Sequence, residues 1–220
     1  MDLIEAVKAR RSIRAFKTDP VPRDVLQELI DATRWCPSWE NVQPWELAVV
    51  GGDKMEELRR ELDAVADTEP APEILVQHFN DPYLTRRRNL GYRIVFDTLK
   101  IEREDKERRK WWRLQNQSMF GAPGAIFISI DRSLNEWSIF DAGMIAQTLM
   151  LAAQHYGLGT IPQAAPIMYP GAIRKVTGIP DSKLLIVGLS LGYPDWSNPV
   201  NSFERDREPV EGFTSWCGFE

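Results

Sequence analysis

Apolar residues along the chain fall at helical or strand spacing often enough to outline most of its elements. Leu3, Ile4 and Val7 predict a short amphipathic helix that ends in the polar run of residues 10 to 14. A second helix is predicted from Pro22, which suits a first helical turn, with Val25, Leu26, Leu29, Ile30 and Thr33 on one face; Pro37 closes it. Residues 45 to 50 read as a buried strand stopped by Gly51 and Gly52, and Met55, Leu58, Leu62 and Val65 mark a third helix. Pro70, Pro72 and Pro82 make residues 67 to 82 a loop. Residues 83 to 119 read as helical and charged, with interruptions around Gly91 and Ile101.

The second half is more apolar. Residues 125 to 130 form a strand-like run after Gly121, Ala122, Pro123 and Gly124. Residues 139 to 156 are apolar nearly all round, which predicts a central, buried helix, and Gly157 and Gly159 supply C-cap chemistry after it. A short helix at 173 to 177 and a strong strand at 184 to 191 follow. From Gly192 onward prolines and polar residues dominate, so residues 193 to 220 are expected to form an extended arm, not a packed element. Helices interleaved with three or four strands make an α+β or α/β sandwich about a central sheet, in one domain over residues 1 to 220. A helix with no polar face needs cover on every side, which points to dimerisation through it.

Composition narrows the function. The chain is 43% hydrophobic and 27% charged, ordinary for a globular protein, and its net charge of −5 argues against general nucleic-acid binding. No run approaches the roughly 20 apolar residues of a membrane helix. Residues 1 to 5 lack the basic-then-apolar profile of a secretory signal, so the expected location is cytoplasmic. Cys36 and Cys217 form no short-spaced pair, and His78 and His155 are too few for a His-rich centre, so no metal site is expected. Eight tryptophans are many for this length; Trp35, Trp39, Trp45, Trp111 and Trp112 lie near polar motifs and suit either core packing or a flat ligand.

Three segments could carry chemistry. Arg10, Arg11, Ser12 and Arg14 put three guanidiniums and a hydroxyl within five residues, which suits a phosphate dianion but equally a solvated turn; Arg205 and Arg207 form a second pair in the polar arm. Residues 36 to 45 offer Ser38, Asn41 and Gln43 between two rigidifying prolines, either to line a polar heterocycle or to cap a connection. Residues 157 to 166 are small enough to let backbone approach a ligand, yet lack a phosphate-loop lysine. With no G-x-G-x-x-G after a strand, a nicotinamide would have to visit a shared pocket. Neither histidine has a nucleophile in a supporting motif. A site of ligand-shaped loops without a triad suggests that a cofactor does the chemistry.

Taken in order, R-R-S-I-R-A-F at residues 10 to 16, P-S-W-E-N-V-Q-P-W at 37 to 45, G-L-G-T-I-P-Q-A-A-P at 157 to 166, L-S-L-G-Y-P-D at 189 to 195 and R-D-R-E-P at 205 to 209 resemble the FMN-dependent nitroreductase family. The insert at about 80 to 120 looks like the nitrobenzoate and nitroaromatic reductase branch. The resemblance implies an α+β intertwined homodimer, with the C-terminal arm wrapping the partner and two FMN sites at the interface. It implies that Arg10, Arg11, Ser12 and Arg14, with Arg205 and Arg207, bind the FMN phosphate and ribityl chain. Pro37, Ser38, Trp39 and Asn41 would reach the flavin from the partner, Pro162, Gln163 and Ala164 would lie along its ring near N5, and Asn116 would meet the pyrimidine edge or the substrate.

The implied reaction is ping-pong. NADH or NADPH gives hydride to the flavin and leaves, and a nitroaromatic or similar acceptor takes its place. Residues 86 to 113 carry 11 Lys or Arg against 5 Asp or Glu, a pattern open to two readings. It is a lid that draws in a carboxylated aromatic, with Trp111 and Trp112 stacking on the ring, or a solvated face laced with ion pairs. Reductive dehalogenation or desaturation on the same scaffold is the alternative activity, although Asn116 stands near the place of the lysine that tyrosine deiodinases use. A non-catalytic flavin-binding protein is the third reading.

Overall fold

The computed structural model describes residues 2–75 and 77–219. Four strands, β1 (Trp45–Gly51), β2 (Gly124–Asp131), β3 (Gly159–Gln163) and β4 (Lys183–Gly192), make one sheet in the order β1-β2-β4-β3 with every neighbour antiparallel. The helices are α1 (Leu3–Ala9), α2 (Arg23–Thr33), α3 (Asp53–Ala64), α4 (Tyr83–Tyr92), α5 (Lys106–Gln117), α6 (Glu136–His155) and α7 (Pro170–Thr177). Successive strand residues point to opposite faces, so the central β2 serves two cores. Ile126, Ile128 and Ile130 meet Leu29 of α2 and Ala142, Ile145 and Leu149 of α6. Ala125 and Phe127 meet Met55, Leu58 and Leu62 of α3 and Ile173 of α7. The expected sheet between helices is what forms.

A bulge in β4 keeps both cores filled. The β2–β4 register shifts between Ile128 and Ser129, which pair with Val187 and Leu185 and leave Ile186 as the extra residue. Before the bulge Leu184 and Ile186 face the α6 side; after it Val187, Leu189 and Leu191 do. One inserted residue thus switches the parity of the strand. Gly188 falls opposite Phe127, where a Cβ would sit 2.9 Å from the ring.

Four expectations need correction. The run at 45 to 50 forms a half-buried strand at the edge of the sheet, not a buried one. The glycine-rich segment after residue 157 contains β3, because an edge strand tolerates Pro162, whose missing N–H no neighbour needs. Helix α6 buries only one side, from Ser138 through Ala142, Ile145, Leu149 and Ala153, while Trp137 and Phe140 remain 57% and 62% exposed in the single chain. Gly91 lies inside α4; the break follows it, at a π-helical turn (Arg93–Thr98) and an irregular stretch before α5.

The arm also differs from expectation. Residues 193 to 208 pack onto their own chain: Phe16 bridges Pro194, and Val200 and Asn201 are fully buried. Beyond them the arm lies open, with Val210, Phe213, Trp216 and Phe219 exposed. The loop at 67 to 82 is pinned by Glu73, which pairs with Arg132 and with Arg174 at 2.8 Å and accepts from the Leu185 amide at 3.1 Å. No helix of the described residues is long and apolar enough to cross a membrane.

Candidate functional site

The loop that follows α1 is held from both sides. Ser12 bridges Thr160 of β3, and the Ile13 amide donates to the Thr160 carbonyl at 3.0 Å. Ile13 is buried against Gly159, where a Cβ would come within 2.5 Å of Ile13 Cγ1 and 2.7 Å of Pro194 Cγ, so only glycine allows this approach. On the other side Asn201, wholly buried, gives all of its side chain to the loop and the arm. Its Oδ1 accepts from the amides of Arg14 (2.7 Å) and Ala15 (3.3 Å), and its Nδ2 donates to the carbonyls of Ala15 (2.7 Å) and Asp195 (2.8 Å). Chain segments nearly 190 residues apart are thereby laced together.

A cavity of about 400 Å³ opens where they meet. Arg10, Arg11, Ser12 and Arg14 line it from the loop, Phe203, Arg205 and Arg207 with the acidic Glu204, Asp206 and Glu208 from the arm, and Arg86, Asn89, Leu90 and Arg93 from α4 and the π turn. The guanidiniums of Arg11 and Arg14 stand over the Phe203 ring at 5.4 and 5.8 Å. Arg11 also donates to the Phe203 carbonyl, and Arg205 to the carbonyls of Arg10 and, at 2.9 Å, Lys8. Among the described residues no carboxylate pairs with Arg10, Arg11, Arg14, Arg205 or Arg207.

The electrostatics follow from that crowding. Burial, and then the neighbouring Arg11, press the Arg14 guanidinium down to about 10. Burial with repulsion from Arg205 and Arg207 lowers Arg10, and burial with Arg205 lowers Arg11. Cations that depress one another with no carboxylate paired to them favour an anion among them. The Nε of Arg11 and the Oγ1 of Thr160 are, moreover, buried without a hydrogen-bond partner.

Other residues singled out in the sequence fall elsewhere. Pro162 is exposed on the edge of β3 that continues from Ser12, and Ala164 is exposed in the bend directly after β3. Gln163 between them turns inward: its Nε2 donates to Asn116 Oδ1 (2.9 Å) and the Asn116 carbonyl (2.7 Å), and its Oε1 accepts from Ser190. Gln163 is thus fully engaged, whereas Asn116 contributes its carbonyl and Oδ1 to it. Pro37, Ser38, Trp39 and Asn41 do not line the cavity within one chain. Their loop is strained, with Glu40, Asn41 and Gln43 at φ of 48°, 59° and 50°. It is held by Asp141, which accepts from the Trp39 amide at 3.1 Å, and by Ser38, whose Oγ accepts from the Gln43 amide at 2.9 Å. Trp111 and Trp112 also lie off the cavity; Trp112 packs on buried Phe120 at 5.4 Å, while Trp111 is exposed.

Sequence reasoning missed Asn201, Phe203, Asn89 and Arg93. A lone asparagine or phenylalanine in a polar tail carries no local signal, and the α4 residues sit in a charge run whose direction only packing decides. Among the described residues there is no cluster of His, Cys, Asp and Glu fit to hold a metal.

Fold and site together define an α+β protein with an arginine-lined cavity beside one edge of its sheet. The chain belongs to the nitroreductase family, whose model, described as "Nitroreductase family", matches residues 7–193. It is 33% identical to a 4-nitrobenzoate reductase of Pseudomonas putida, over 100% of this chain and 97% of that protein. It is similar to the crystal structure of an FMN- and NADPH-dependent nitroreductase, NfnB, from sphigopyxis sp. strain HMH, with a TM-score of 0.95, 32% identity and 100% of both chains covered. NfnB of Mycobacterium smegmatis, an FMN-dependent nitroreductase solved in complex with NADPH, superposes with a TM-score of 0.92 at 27% identity, over 98% of this chain and 100% of that one.

Proposed function

We propose that the chain is an FMN-dependent oxidoreductase that passes electrons from NAD(P)H to small nitroaromatic compounds, nitrobenzoate among them. The observation that carries this reading is the convergence on one cavity of five guanidiniums that no carboxylate pairs with, the cavity's Asp206 and Glu208 being taken by Arg93 and Arg86. The cradle fits a phosphate dianion: Arg10, Arg14, Arg205 and Arg207 would grip its oxygens, Ser12 would donate its hydroxyl, and the unpartnered Arg11 Nε would find an acceptor. From Thr160 to Ala164 the edge runs about 13 Å at 3.3 Å per residue, enough for a ribityl chain followed by a flat ring. Because the Thr160 carbonyl faces the free edge, the two-residue period turns the backbone of residues 162 and 164 the same way. Pro162 has no N–H, so Ala164 is the residue that can donate to flavin N5; Gln163 keeps its neighbours in place.

Bound FMN supplies the hydride relay between nicotinamide and acceptor. The chain's own residues anchor the phosphate, orient the ring along Pro162 and Ala164, and keep cationic charge beside it. Two electrons and two protons take a nitro group to a nitroso group and water, and a second two electrons and two protons take that to a hydroxylamine. In this reading the single domain spans residues 1 to 220, with a lid at about 80 to 120 and an arm at about 193 to 220, and works as a cytoplasmic homodimer. The exposed Trp137 and Phe140 of α6 and the exposed aromatics after residue 209 suit a partner subunit, from which Pro37, Ser38, Trp39 and Asn41 reach the second site. Asn116 acts through Gln163, and Trp111 is the lid ring free to meet substrate.

The test is anaerobic mixing of the yellow, full-length protein with NADPH or NADH, followed by 4-nitrobenzoate. Bleaching by a nicotinamide and recovery of colour on adding the nitro compound are expected. A protein that takes up no FMN, or whose bound FMN neither nicotinamide bleaches, would overturn the proposal.

A further inference from the structure

The arm residues Glu204, Arg205, Asp206, Arg207 and Glu208 alternate in sign, and the fold sends the two signs to different partners. Arg205 reaches back to the loop carbonyls of Lys8 and Arg10. Asp206 takes Arg93 Nη1 at 2.8 Å, and Glu208 takes Arg86 Nε at 2.8 Å. Arg93 also donates to the Glu204 carbonyl at 3.0 Å. All five residues line the one cavity, but the acids and the bases are engaged differently there. Exposed ion pairs of this kind add little to fold stability, so their placement calls for another account.

Arg86 and Arg93 line the same cavity as the five unpaired arginines, which makes them look like further anion ligands. Their guanidiniums are nevertheless already engaged by carboxylates, as those of Arg10, Arg14, Arg205 and Arg207 are not. We propose that Arg86 and Arg93 are positioning residues: they keep the carboxylates of Glu208 and Asp206, which line the same cavity, tied up in ion pairs, so that Arg205 and Arg207 meet the cofactor phosphate without neutralisation. This rests on the reading that the cradle binds the FMN phosphate. Without Arg93, the Asp206 carboxylate sits between two guanidiniums in sequence and becomes an intramolecular competitor for them, present at high effective concentration.

The experiment loads the full-length protein with FMN or with riboflavin, which lacks the phosphate, and reads both dissociation constants from flavin fluorescence on dilution. Arg93→Gln is expected to loosen FMN about threefold to tenfold, the range in which one competing surface pair operates, and to leave riboflavin unchanged. In an Asp206→Ala background the same substitution should have no further effect, because its target is gone. An equal loss in both backgrounds would mean that Arg93 acts on the phosphate directly, which overturns the proposal. So would unchanged FMN affinity in Arg93→Gln while Arg207→Ala still weakens FMN selectively; the cradle reading would then stand alone. If Arg207→Ala fails to distinguish FMN from riboflavin, the cradle reading itself falls. Arg86→Gln with Glu208→Ala repeats the cycle independently.

Discussion

Replacing Asn201 by alanine removes four hydrogen bonds at once, two accepted from the amides of Arg14 and Ala15 and two donated to the carbonyls of Ala15 and Asp195. At about 1 kcal/mol net for each bond, and with water able to reach some of the stranded groups, the expected cost is about 2–4 kcal/mol. For a chain of this size the urea m-value lies near the upper end of the small-protein range, about 3 kcal/mol/M, so the midpoint of unfolding should fall by about 1 M. Far-UV circular dichroism in urea measures it. Asn201→Asp sharpens the test, since it keeps the shape and the Oδ1 acceptor but points a second oxygen at two carbonyls. It should lose as much as the alanine variant. Flavin should also be shed more readily by both, because the Arg14 backbone loses its anchor. A midpoint within about 0.2 M of wild type for both variants would refute the claim that this side chain laces the two chain ends together.

Arg14→Met should act in opposite directions on stability and on binding. Burial and Arg11 hold the Arg14 guanidinium down to about 10, so its charge is a liability in the flavin-free protein. Methionine in its place should raise the flavin-free melting temperature while FMN affinity drops at least tenfold; a fall in both quantities would argue against a cradle kept under like-charge strain. Glu73 supplies a pH dependence. Burial alone would raise its carboxyl, but hydrogen bonds from Arg174, from the Leu185 amide and from Arg132 hold it below the ordinary 4.5. An acid with a depressed folded value contributes stability that is full above the unfolded value and is lost as pH falls through the folded one. Glu73→Gln should therefore cost about 3 kcal/mol at neutral pH and flatten the decline of stability below pH 4.5, as followed by thermal melts across acid pH. Parallel acid profiles for variant and wild type would count against it.

Much of the scaffold was legible because periodicity reports burial directly. Leu29 and Thr33 of α2, and Met55, Leu58 and Leu62 of α3, are the buried positions that their three- and four-residue spacing marks. The central strand β2 is buried from Gly124 to Ile130, as its unbroken apolar run requires. Where a segment's role depends on its neighbour, pattern reading went astray. Residues 45 to 50 look as apolar as β2, but their place at the sheet margin leaves one side wet. Gly159 to Gln163 look like a loop, but pairing with β4 makes them a strand. The candidate site divides the same way: its arginines stand out as a cluster, whereas Asn201 and Phe203 become visible only once the arm folds back.

Local pattern was enough for a central sheet between helices and for cationic clusters near both chain ends. Local spacing and side-chain chemistry suffice for these, since each depends on residues a few positions apart. Tertiary structure alone decided that residues 10 to 14 and 203 to 207 share one cavity, that Gln163 faces inward, and that Asp206 and Glu208 pair with α4 and the π turn after it instead of quenching the cradle. The physical reason is that the sign of a site's field depends on which charges meet across nearly 200 residues. No window along the chain contains that information.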